Sequence, residues 1–212
     1  MLRVGLTGGL ASGKSFAASE FERLGCAVLH ADLLGHAILA EDPEVHDEVT
    51  AAFGEGILRA DGAIDRKALA GVVFASKDKL ERLNAIVHPR VFERVEDFFR
   101  QTARRDPSAV ALVEAAIMVE TGSYRRYDRV VLAACPREAQ IDRFMQREGG
   151  TRDEAEARLG RQIPLKDKRK FADFVIDTSG SEDETLEQVR GVYRQLRSEA
   201  EKRGAHSDAE AN

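Results

Sequence analysis

The stretch Gly8-Gly9-Leu10-Ala11-Ser12-Gly13-Lys14-Ser15 decides the reading of this chain. It fits G-x-x-x-x-G-K-[ST], and each element of that pattern has a physical reason. The glycines let the backbone turn so that successive N–H groups point inward at phosphate oxygens. A helix opening at the end of the loop adds its N-terminal N–H groups and the positive end of its dipole. Lys14 is then placed to reach the β- and γ-phosphates, and Ser15 to set its hydroxyl on Mg²⁺. With glycine near 7% of residues, a chance match in a chain this long arises on the order of once in a hundred. The flanking sequence must therefore support the motif.

It does so on both sides. Residues 2–6 form a short apolar run ending in glycines, read as a buried first strand. Residues 14–24 read as a helix stopped by Gly25, and residues 27–30 as a second strand. Strand, loop, helix and strand make a right-handed βαβ unit. Residues 33–105 change character, and helical pieces dominate. There Leu80, Leu83, Val87, Val91, Val95 and Phe98 recur at helical spacing and form one apolar stripe, which Pro89 is expected to kink or break. Residues 109–113, 129–134 and 174–176 return to strand character without polar alternation, as in strands covered on both faces. Helices are expected over 136–148 and 186–196.

The predicted architecture is α/β: a P-loop three-layer sandwich with a parallel sheet of about five strands. Its nucleotide-binding core comprises residues 1–32, 106–145 and 173–200. A helical acceptor-binding insertion spans 33–105, a charged lid 146–172, and a small, polar, disordered tail 201–212.

Composition excludes several classes. At 43% hydrophobic and 33% charged, the 212 residues can bury a core under a solvated surface. The net charge of −5 argues against a nucleic-acid binder held by phosphate contacts. Cys26 and Cys135 lie in apolar runs with no zinc-type spacing, and read as buried free thiols in a reducing compartment. No apolar run approaches the ~20 residues of a membrane helix. The N-terminal run MLRVGLTGG reads as a strand entering a loop, not a leader. A cytoplasmic monomer acting on a small molecule is expected, with neither nucleic acid nor membrane as partner.

The loop alone leaves three classes open: a small-molecule kinase, a GTPase switch and an ATPase motor. Asp32-Leu33-Leu34-Gly35 mimics the GTPase D-x-x-G, but no Asn-Lys-x-Asp segment for reading guanine occurs. A helical insertion directly after the second strand is the arrangement of nucleoside-monophosphate-type kinases.

Several individual residues carry competing readings. Asp32 follows the second strand, where ligand groups gather in such sheets. It can take a hydroxyl proton there, or cap the helix that follows. Arg143, with Arg147, Arg158 and Arg161 beyond it, offers bidentate phosphate contacts or a solvated helix face. Arg66, after Asp65, binds an acceptor phosphate or forms a surface ion pair. His88 is structural or belongs to the acceptor region.

GLTGGLASGKS, HAD at 30–32, FGEGILRADGAIDRKAL, LNAIVHPRV, QIDRFMQR and ADFVIDTSG together resemble the dephospho-coenzyme A kinases in order and spacing. The resemblance runs over about residues 2–195. It implies transfer of the ATP γ-phosphoryl group to the ribose 3′-hydroxyl of dephospho-coenzyme A, with Mg²⁺. It implies catalytic roles for Asp32, Lys14 and Arg143. The nucleotide falls to Gly8, Gly9, Ala11, Ser12, Gly13, Lys14, Ser15 and Phe16, and the metal to Ser15. The acceptor falls to Asp32, Arg66, His88 and Pro89. The chain departs from the family pattern at Phe16, where Thr is usual, at AAIMVE over 115–120, and at Asp177, where Asn is usual. Another nucleoside or nucleotide kinase, or a nucleotide-switched binding protein, remain the alternatives.

Overall fold

The computed structural model describes residues 1–210, without the side chains of 206–210. The strands are β1 (Leu2–Thr7), β2 (Ala27–His30), β3 (Val110–Glu114), β4 (Arg129–Ala134) and β5 (Phe174–Asp177). They form one parallel sheet in the order β2-β3-β1-β4-β5, in agreement with the predicted α/β sandwich. The helices are α1 (Lys14–Arg23), α2 (Ala31–Glu41), α3 (Pro43–Phe53), α4 (Arg66–Val73), α5 (Lys77–Arg105), α6 (Arg137–Glu148), α7 (Arg152–Leu159), α8 (Leu165–Lys168) and α9 (Glu182–Glu210). Chain order reverses around β1, which is flanked by β3 and β4. In open parallel sheets this switch point, at the carboxyl ends of the strands, is where ligands bind.

Two compact units are distinguished. The first is 1–30 with 99–212, and the second is 31–98. In the first, Leu2, Val4, Leu6, Val131, Ala133 and Ile176 present one face of the sheet to Phe21 of α1 and to Val189, Val192 and Leu196 of α9, all buried. The second is helical and has its own core, built on Ile38, Val45, Val49, Ile57, Leu69, Val73 and Val87. The predicted stripe supplies Leu80, Leu83 and Val91 to that core.

Three local expectations differ from the structure. Pro89 lies inside α5, which continues through it. The proline removes the hydrogen bond to the Ala85 carbonyl, but Ala85 and Pro89 are both exposed, where water can take that bond. The final helix does not stop at 196, and the tail expected to be disordered from 201 is helical through Glu210. Arg197–Glu201 and Arg203–Glu199 pairs at i,i+4 and an Arg203–Asp128 bridge at 2.7 Å account for its continuation. The rest of that expectation, at 211–212, lies outside the described residues. Both cysteines are free, but Cys135 is only half-buried. Burial pushes the Cys26 thiol up to about 12, so it stays protonated and inert.

Candidate active site

The phosphate loop joins β1 to α1. Gly13 stands at the start of α1 with φ of 81°, and a Cβ there would press on Thr178, so a side chain is excluded twice over. Ala11 also takes a left-handed backbone, φ 48°, which a non-glycine residue adopts at a cost. Such strain persists where the surroundings impose it, and often marks a functional turn. The loop is held from several sides. Ser12 Oγ accepts from Gly9 N–H at 3.0 Å, and Thr178 Oγ1 donates to the Ser12 carbonyl at 2.8 Å.

At the carboxyl end of β3, level with Leu6 of β1 and His30 of β2, stands Glu114. Its Oε1 is paired with Lys14 Nζ and accepts from Ser15 Oγ at 2.7 Å, while its Oε2 meets His30 Nδ1. Burial pushes the Glu114 carboxyl up. The Lys14 charge and the hydrogen bonds from Lys14, Ser15 and His30 outweigh burial, and the net direction is down. The site therefore holds an ionised carboxylate beside the two phosphate-loop residues expected to handle phosphate and metal. Sequence reasoning ended this strand at residue 113 and did not single out Glu114, which closes it. The available signal was a carboxylate closing an apolar strand downstream of a phosphate loop, the position that supplies a metal-organising acid in many such proteins.

Arg143, on α6, donates to the Thr178 carbonyl at 2.5 Å and lies 3.4 Å from Thr178 Oγ1. It thus sits against the residue that braces Ser12 and Gly13. Arg158 is engaged elsewhere, bonded to Glu148 at 2.8 Å and lying over the Phe144 ring. Phe16 occupies the first turn of α1. Asp177 accepts from Ser179 N–H at 2.8 Å and Ser179 Oγ at 2.6 Å, which holds its carboxyl down and shapes the turn beyond β5. In AAIMVE, Met118 and Val119 are buried, Ile117 is exposed, and Glu120 pairs with Lys168.

The residues expected to take the acceptor, Asp32, Arg66, His88 and Pro89, belong to the second unit. Asp32 is not a helix cap: β2 ends at His30 and α2 starts at Ala31, so Asp32 lies in the first helical turn. Its charge there favours the dipole. His36, one turn further on, was not anticipated. Burial and then the Arg66 charge push its imidazole down, while the Asp32 charge opposes them. Asp65 is the N-cap of α4, accepting from Lys67 N–H at 2.8 Å and Ala68 N–H at 3.0 Å, and Arg66 opens the helix. His88 is half-buried against Phe92, with ring centroids 5.9 Å apart, and burial pushes its imidazole down.

Residues 2–184 match the family profile described as dephospho-CoA kinase. The chain belongs to the dephospho-CoA kinase family. Curated dephospho-CoA kinases are similar along nearly the whole length. The Aquifex aeolicus protein is 39% identical over 92% of this chain and 98% of its own, and that of Geobacter sulfurreducens 40% identical over 90% and 96%. A solved structure from Thermus thermophilus shares 32% identity with a TM-score of 0.77, covering 91% of this chain and 96% of that one. The dephospho-CoA kinase from Campylobacter jejuni shares 25% identity with a TM-score of 0.62 over the same proportions. As a dephospho-CoA kinase family member the chain is a phosphotransferase with ATP as co-substrate and a small-molecule alcohol as acceptor. Among the described residues, no helix is long and apolar enough to cross a membrane.

Proposed function

We propose that this chain transfers the γ-phosphoryl group of ATP to the ribose 3′-hydroxyl of dephospho-coenzyme A, giving coenzyme A and ADP. The observation that carries the reading is the Lys14–Ser15–Glu114 cluster at the carboxyl ends of β1 and β3, in a chain of this family. Gly8, Gly9, Ala11, Ser12, Gly13 and Phe16 surround the triphosphate through the loop and the first turn of α1. Lys14 exchanges Glu114 for the β- and γ-phosphates when nucleotide enters. Arg143 meets the phosphates from α6. The 3′-hydroxyl oxygen bonds to the γ-phosphorus, its proton passes to Asp32, and the bond to the β–γ bridging oxygen breaks, releasing ADP. Arg66, His88 and Pro89 contribute to acceptor binding, with the 31–98 unit as the acceptor-binding part.

Mg²⁺ suits the residues present. Ser15 Oγ and Glu114 Oε1 are hard oxygen donors 2.7 Å apart, and Mg²⁺ commonly takes one or two protein oxygens with substrate phosphates and water. When bound, it neutralises charge on the triphosphate. Segment 146–172 acts as a lid that excludes water and so favours transfer over hydrolysis. The protein works as a monomer in the cytoplasm.

A coupled assay tests the reading. ADP release should depend strongly on dephospho-coenzyme A and not on nucleoside monophosphates. Slow hydrolysis indifferent to acceptor would instead mark a nucleotide switch.

A further inference from the structure

Lys168 closes the four-residue helix α8 and is completely buried. An ammonium in such a place is costly unless its protons meet acceptors. Three acceptors stand within reach. Nζ donates to the Gly8 carbonyl at 2.9 Å and to the Ala116 carbonyl at 2.7 Å, and pairs with Glu120 Oε1 at 2.9 Å. Glu120 Oε1 also accepts from Ile163 N–H at 2.9 Å. One ammonium thus ties together the first glycine of the phosphate loop, the chain leaving β3, and the end of the charged 146–172 segment.

The contact with Gly8 has a directional effect. In a trans peptide, the carbonyl and the following N–H point opposite ways. Turning the Gly8 carbonyl toward Lys168 aims the Gly9 N–H into the loop, where Ser12 Oγ accepts it at 3.0 Å. The next residue is gripped on both sides. Leu10 N–H donates to Gln162 Oε1 at 3.0 Å, and the Leu10 carbonyl accepts from Gln140 Nε2 at 2.6 Å.

We propose that Lys168 is a positioning residue for phosphoryl transfer. With Gln162, it fixes the peptide orientations at the crest of the phosphate loop, so that the loop is set for a triphosphate before nucleotide arrives. It acts through the Gly8 carbonyl and not by placing charge on the substrate. This rests on the phosphate-loop reading given under the proposed function.

The experiment compares the parent with Lys168→Met, Lys168→Met/Glu120→Gln and Gln162→Ala, reading melting temperature, kcat and both KM values. Lys168→Met leaves the partly buried Glu120 carboxylate without its cation, held only by the Ile163 N–H among the bonds described above, and should lose both stability and activity. The double variant removes both charges and should regain most of the melting temperature. Its kcat should stay down by about 10–100-fold and its KM for ATP should stay raised, because ångström-scale misplacement costs up to ~10²-fold. KM for dephospho-coenzyme A should hardly move. Recovery of kcat together with melting temperature in the double variant would mean that Lys168 only neutralises Glu120, and the proposal falls. Gln162→Ala changes no charge and keeps the inference testable if the Lys168 variants fail to fold. It should raise KM for ATP, and unchanged ATP kinetics would overturn the proposal. If the parent shows no acceptor-dependent ADP release, the functional reading fails separately. Calorimetric ATP titration of the same variants then still decides, with weakened binding supporting the positioning role and parental binding overturning it.

Discussion

Replacing Glu114 with glutamine tests the centre of the site, because the free and nucleotide-bound proteins should respond in opposite directions. In the free protein Lys14 and Glu114 keep only 11% and 4% of their side-chain surface exposed. Breaking such a pair outright costs about 3–5 kcal/mol, and losing a hydrogen bond to a charged group about 1.5–3 kcal/mol. Glutamine keeps an oxygen for Lys14 or Ser15, so the smaller range applies. In a chain of this size, that lowers the melting temperature by about 3–12 °C at neutral pH. The pH dependence has a definite sign. The folded Glu114 carboxyl lies below its ordinary value of 4.5, so its stabilisation is complete above that value and is lost as pH falls through the lower, folded value. The gap between parent and variant should therefore be constant from neutrality down to about 4.5 and narrow below it. With nucleotide the sign reverses. Lys14 no longer has to leave a carboxylate, and a negative charge is gone from an anion site. ATP without Mg²⁺ should bind tighter, by up to about tenfold, equivalent to ~1.4 kcal/mol. Turnover should fall by about 10²–10³ because the metal loses an oxygen ligand and the transferring group its alignment. Thermal melts across pH and calorimetric titration with and without Mg²⁺ supply the readings. A variant with the parental melting temperature and unchanged Mg²⁺-free affinity would refute the reasoning.

Lys14→Ala should keep the fold with a lowered melting temperature, because buried Glu114 loses its cation, and should lose turnover by orders of magnitude, since it removes a charge that follows the transferring group; near-normal kcat would remove the phosphate-loop assignment. Asp32→Asn should leave stability within about 1 kcal/mol, because the side chain is exposed in the first turn of α2 and Asn keeps its size and polarity, and ATP affinity within a few-fold. Its kcat should fall by about 10²–10⁴, and turnover close to parental would place the proton acceptor elsewhere. Trypsin should first cut the free protein at exposed Arg152, Arg158 or Arg161, not at buried Lys168, with ATP, Mg²⁺ and acceptor slowing the cut. Protection indifferent to ligand would count against a closing lid.

The phosphate loop, the five strands and the apolar stripe of α5 were legible because each is a local pattern: a glycine spacing, an unbroken apolar run, a recurrence every three or four residues. What escaped notice depends on partners distant in sequence. Glu114 looks like any strand terminus until β1 and β2 flank it and bring Lys14, Ser15 and His30 to its two oxygens. Lys168 sits in KDKRK, a run whose charge suggests a solvated surface, yet it is drawn inside by the Gly8 and Ala116 carbonyls. Of the kink or break expected at Pro89, the break does not occur, because the rule concerns an unsatisfied carbonyl and on an exposed face water can satisfy it. The extension of α9 past 201 was hidden because small and charged residues suit a free tail and a helix alike. The Arg203–Asp128 bridge tips the balance, and it becomes visible only once the chain has folded back.

The strand order has a consequence for how the protein is made. β1 is the first strand to be synthesised and the middle one of the finished sheet, and Leu2 pairs with Val110 while Val4 pairs with Arg129. At about 5–20 residues per second, the nascent chain carries β1 unpaired for roughly 5–25 seconds before its neighbours emerge. During that interval the helical 31–98 segment, rich in local contacts, can condense first. The phosphate loop waits longer still, since its braces come from Gln140, Gln162, Lys168 and Thr178. A ribosome-bound chain truncated before those residues therefore carries the whole glycine motif without the means to hold it in shape, and nucleotide competence arrives only as the last third of the chain is completed.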